Sequence, residues 1–196
     1  MVINMNLPYP VAAALAAALV SAASVLAFAE LPALFVWAAF IGWASYDHSG
    51  ATAQAAIRSS AALVFGVAMA WLVALVVSSG VLLLAPTAST MIAAGIASFL
   101  IVIASCIKPL RIVPAAFYGF ASTFAYLSLS TGAFSVAALT SFNWKNALLC
   151  VSISLLFGTG LGAMHGSLAV LLSWRNGTSR LSSPSGSAHA PVRGMQ

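Results

Sequence analysis

Ala38-Ala39-Phe40-Ile41-Gly42-Trp43-Ala44-Ser45 returns 77 residues later as Ala115-Ala116-Phe117-Tyr118-Gly119-Phe120-Ala121-Ser122. Aligned without a gap, residues 15–45 and 92–122 share 13 identities in 31 positions, among them Pro32/Pro109, Ser21/Ser98 and Val36/Val113. Alanine-rich segments match by chance, so the weight falls on the proline, the serines and the compact block. An internal repeat takes precedence over any local reading, because it constrains the whole architecture.

The surroundings of the block fix the fold class. The chain is 62% hydrophobic, carries nine Lys, Arg, Asp and Glu side chains in 196 residues and has a mean hydropathy of +1.08. That composition cannot cover a water-soluble surface, so an all-α integral membrane protein is expected. Spans need about 20 apolar residues each. A membrane β-barrel would alternate apolar and polar residues over ~10-residue strands, and residues 11–29 do not alternate.

Six spans fit: residues 11–29, 32–46, 56–84, 88–107, a fifth carrying the second copy of the block, and 146–173. Residues 1–10 form a short N-terminal segment, 11–174 a membrane domain, and 175–196 a polar tail with too little apolar surface to fold. Ala27-Phe28-Ala29 resembles a small-residue cleavage site, but no Lys or Arg precedes it as a signal peptide requires. The repeat also needs this helix as the partner of the fourth.

Basic residues near span ends stay on the cytoplasmic side. With both termini cytoplasmic, Arg58, Lys108, Arg111, Arg175, Arg180 and Arg193 lie inside and Lys145 alone outside. Each repeat, residues 11–84 and 88–174, then holds three spans, so the second copy crosses in the opposite sense. Two inverted three-helix repeats are a recurrent plan of transporters and channels.

The third and sixth spans each carry a Phe-Gly pair in a stripe of small residues: Ala62, Phe65, Gly66, Ala70, Ala74 and Ser154, Phe157, Gly158, Gly162, Gly166. Such stripes let membrane helices approach closely, so Gly66, Ala70, Gly158, Gly162 and Gly166 are read as packing residues. Gly158-Thr159-Gly160-Leu161-Gly162 lacks the strand and βαβ unit of a dinucleotide site. The second and fifth spans differ. Each begins at a proline, is short or glycine-interrupted, and mixes hydroxyls with aromatics, the pattern of a transport site. Phe40, Gly42, Trp43, Ser45, Tyr46, Phe117, Tyr118, Gly119, Phe120, Ser122, Thr123 and Tyr126 are the candidate pathway. The plainer alternative is that Gly42 and Gly119 permit helix crossing while Ser45 and Ser122 bond back to a carbonyl one turn earlier.

Glu30 and Asp47 lie at opposite ends of the second span and cannot act as a catalytic pair. Glu30 could attract a solute at a mouth. His165 is an ionisable group inside a span, a candidate for gating or proton sensing, with a plain bond to a neighbouring helix as the alternative. No nucleophile has a base, no cluster offers metal ligands, and the scattered basic residues do not form a nucleic-acid surface. Neither an enzyme nor a cofactor is expected.

Trp37-Ala38-Ala39-Phe40-Ile41-Gly42-Trp43-Ala44 and its echo from Pro114 to Ser122 resemble a bacterial inner-membrane family, domain of unknown function 1097, over about residues 11–174. The resemblance implies a location in the bacterial inner membrane and no activity that can be carried over to particular residues. The expected function is a channel or facilitator for a small polar or neutral solute, homo-oligomeric in the bilayer, between the paired motif helices. A non-transporting scaffold or partner subunit is the alternative.

Overall fold

The computed structural model describes residues 7–173. The tail expected from residue 175, with Arg175, Arg180 and Arg193, lies outside the described residues, as do residues 1–6. Among the described residues seven α-helices follow in order: α1 (Tyr9–Ala29), α2 (Val36–His48), α3 (Ala53–Ser78), α4 (Pro86–Ala104), α5 (Val113–Leu129), α6 (Val136–Thr140) and α7 (Ala147–Leu172). A 3-10 turn, Lys108–Leu110, precedes α5. No strand occurs among the described residues; Leu7 and Ser173 meet in one isolated β-bridge.

Four helices, α1, α3, α4 and α7, are long and apolar enough to cross a membrane. Large apolar side chains such as Leu26, Ile57, Met91, Phe99 and Leu171 are exposed on the outside of the bundle, the inverse of a soluble surface. The chain has the make-up of a multi-pass membrane protein. The other two expected spans are shorter: α2 has 13 residues and α5 has 17. At 1.5 Å per residue α2 covers about 20 Å, against a hydrocarbon thickness of about 30 Å.

Local chemistry sets the ends. Pro86 opens α4 and Pro114 the first turn of α5, where a missing N–H costs nothing. Thr52 caps α3 by accepting from the Ala55 N–H at 3.0 Å, and Asn146 caps α7 by accepting from Leu148 at 2.9 Å. α3 stops at Ser78, short of the expected Leu84, because Gly80 follows at φ +67°, a left-handed stop suited to glycine. α2 starts at Val36 and not at Pro32, since Leu31–Leu34 forms a turn and the Phe35 N–H donates 3.0 Å to Ser154 Oγ on α7.

The expectation set α2 and α5 against each other as the central pair. Each has its principal partner elsewhere: α2 packs along α7 and α5 along α3, while α1 covers α7 and α4 covers α3. The reason is backbone proximity. Any Cβ at Gly42 would strike the Leu155 carbonyl, and any at Gly158 the Ala39 carbonyl. A Cβ at Gly119 would strike the Leu63 carbonyl, and one at Gly66 the Ala116 carbonyl. Only glycine allows helices this close.

Candidate functional site

α2 and the Phe35 that precedes it touch α5 at two ring contacts. Phe35 meets Tyr126 edge-on with centroids 5.2 Å apart, and His48 meets Tyr118 edge-on at 6.3 Å. Between these contacts α2 carries Ser45 and α5 carries Ser122 and Thr123, all buried. Ser45 Oγ shares a 2.7 Å hydrogen bond with Ser59 Oγ of α3. Neither Ser45 nor Ser122 bonds back one turn; Thr123 does, donating 3.0 Å to the Gly119 carbonyl. Ser122 Oγ, on a residue 1% exposed, has no partner. A buried hydroxyl without a partner carries a desolvation cost.

The remaining candidates divide by neighbour. Gly42 and Gly119 face helix backbone and line nothing. Tyr46 and Trp43 pack on Gly162, where a Cβ would lie 2.6 Å from Tyr46 Cδ1 and 2.9 Å from Trp43 Cδ1. Phe40 and Trp43 border an open recess between α1 and α2 that also holds Asp47. Phe117, Phe120 and Phe124 form a half-buried aromatic run along α5, at 6.4 and 5.1 Å between centroids. Tyr126 donates 2.9 Å to the Lys145 carbonyl.

Of the packing residues, Gly66, Gly158 and Gly162 stand in helix contacts, and Ala70 is fully buried. Gly166 is a correction. A Cβ there would meet nothing within 4 Å, although the neighbouring His165 still lies against Trp43 of α2. His165 Nε2 lies 3.3 Å from the Ala13 carbonyl of α1, and its ring lies 5.0 Å from that of Trp43. Glu30 is the exposed residue that ends α1, far along the helix from Ala13, so the two proposed gating groups are not brought together.

Sequence reading missed Ser59 and Ser154. Ser154 donates 2.7 Å to the Cys150 carbonyl while accepting from Phe35. Ser154 sits in a stripe that was absorbed whole into packing, and Ser59 lies three residues before the first member of the other. Also missed was the cover over the end where α5 meets α7. There Trp71 Nε1 donates 2.9 Å and Asn146 Nδ2 3.0 Å to the Leu139 carbonyl of α6, and Leu139 is fully buried.

The family model described as "Protein of unknown function (DUF1097)" matches residues 14–170. The chain belongs to this family. The DUF1097 match spans every helix just described from α1 into α7 and so takes in both copies of the repeated block. No curated protein and no solved structure matches the chain.

Proposed function

We propose that this DUF1097 protein is a non-enzymatic facilitator for a small polar or neutral solute in the bacterial inner membrane. It has six spans as two inverted three-helix repeats and both termini in the cytoplasm. The observation that carries the reading is the matched set of glycine contacts. Ala39 and Ala116 are counterparts in the repeated block, as are Gly66 and Gly158 in the Phe-Gly pairs, and Gly158 meets Ala39 while Gly66 meets Ala116. Gly42 and Gly119 repeat the relation with Leu155 and Leu63.

Two short helices that begin inside the bundle also support it. Ala116, fourth in α5, meets Gly66, fourteenth in α3; Ala39, fourth in α2, meets Gly158, twelfth in α7. Short segments in corresponding positions of two halves are the pattern of transport sites. The solute would pass along the buried hydroxyls of Ser45, Ser59, Ser122 and Thr123.

One observation favours a second reading, a non-transporting membrane scaffold. The centre is filled: Ala38, Ala62, Leu63, Ala115, Val151 and Leu155 are buried in one cluster, so passage requires a rearrangement. Proteoliposome swelling and efflux separate the two. Water, glycerol, urea, ammonia and small organic acids would be compared for wild type, Ser122→Ala and Thr123→Val. Flux of one solute above empty vesicles, altered several-fold by these variants, supports the facilitator. Folded protein that passes none of them, and that co-purifies with a second protein, supports the scaffold.

A further inference from the structure

At the end of the bundle that holds the α2–α3 link, a recess of about 400 Å³ is bordered by Arg58, Arg111, His48, Gln54, Thr52 and Ser49. Residues 49–52 join α2 to α3 directly, whereas residues 130–146 join α5 to α7 and fold back over the opposite end. The 3-10 turn Lys108–Leu110 then brings Arg111 to the wall facing α3.

Two of the polar groups are already engaged. Thr52 Oγ1 accepts from Ala55, and Ser49 Oγ donates 2.6 Å to the Ser45 carbonyl. Arg58, Arg111 and Gln54 have no side-chain hydrogen bond or ion pair among the described residues. Nor can the sequence readily provide one, since it has seven Lys and Arg against two Asp and Glu. Asp47 borders a different recess, between α1 and α2, and Glu30 lies at the other end of α1.

Two guanidinium groups at one concavity, with no carboxylate, match the chemistry of a phosphoryl group, whose oxygens accept paired N–H donors. The depth also fits. α3 has 26 residues, about 39 Å, and so outreaches a hydrocarbon layer of about 30 Å. Arg58, in its second turn, stands near the edge of that layer, from which its long side chain can extend toward the lipid phosphates.

We propose that this recess binds a phosphate-type oxyanion between Arg58 and Arg111, with Gln54 and His48 as further donors. A lipid headgroup and free phosphate present the same oxygens, and the experiment distinguishes them. The full chain, stripped of lipid in neutral detergent, is titrated with inorganic phosphate while its unfolding midpoint is followed. The same protein in phosphatidylcholine nanodiscs with graded phosphatidic acid is assayed by native mass spectrometry for retained lipid.

Saturable binding in the first arm identifies free phosphate; retention in the second arm alone identifies the headgroup. In either case Arg58→Gln and Arg111→Gln each weaken binding about tenfold. Lys108→Gln, at the same end but outside the recess, changes it less than about twofold. All three positions are exposed, so the variants are expected to fold, and circular dichroism checks this. The proposal is overturned by binding in neither arm, by unchanged binding in the arginine variants, or by an equal loss with Lys108→Gln, which would mean diffuse surface attraction.

Discussion

Two glycines on one helix have opposite roles. Gly158 accepts the Ala39 carbonyl where a methyl would stand, while Gly166, two turns on, faces open space. Gly158→Ala is therefore expected to cost about 3 kcal/mol or more, since backbone must move, and Gly42→Ala likewise. Gly166→Ala should be neutral or stabilising by up to about 1 kcal/mol through helix propensity. Unfolding midpoints in detergent decide this, and a Gly166→Ala loss equal to that of Gly158→Ala would refute the difference in their surroundings. The serines differ in the same way. Ser45→Ala orphans Ser59 and should cost about 1–2 kcal/mol, whereas Ser122→Ala removes a hydroxyl with no partner and should cost almost nothing. In the double variant Ser45→Ala/Ser59→Ala much of the first loss should return. A strictly additive double variant would show that the 2.7 Å bond contributes nothing.

At the scale of elements, the six longer helices were legible because their cause is local, runs of apolar residues, whereas the first-turn prolines and the Thr52 and Asn146 caps that set their ends were not read. Partner choice was not legible. A small-residue stripe fits any neighbour, so α2's seat on α7 depends on a carbonyl meeting a missing Cβ more than a hundred residues away. The repeated block was readable while its direction of packing was not. Nor was the cover over the α5–α7 end readable, since α6 has five residues and is held by Trp71 and Asn146 through one carbonyl. Removing one donor tests that role. Asn146→Ala should cost about 1–2 kcal/mol, as a cap and two tethering bonds disappear, and should speed amide exchange over Val136–Thr140 more than over α1. Uniform exchange changes along the chain would instead mean a global loss of stability.

For the whole molecule, the proposed orientation yields to the chain's own two cysteines. Cys106 is exposed, at the end of α4, and Cys150 is fully buried. One maleimide per folded chain is expected. In intact cells a membrane-permeant reagent should label Cys106 and an impermeant one should not, while Leu83→Cys, replacing a residue 94% exposed at the opposite end, should react with both. Impermeant labelling of Cys106 would invert the topology. The seating of α2 on α7 also has a consequence in time. Gly42 and the carbonyl it needs, Leu155, lie roughly 110 residues apart, which at 5–20 residues per second is on the order of 6–20 s of synthesis. During that interval the emerging chain holds a helix too short to anchor itself, whose seat has not yet been translated. Biogenesis therefore needs a waiting place for α2, in the insertion machinery or against a temporary neighbour, until α7 arrives to claim it.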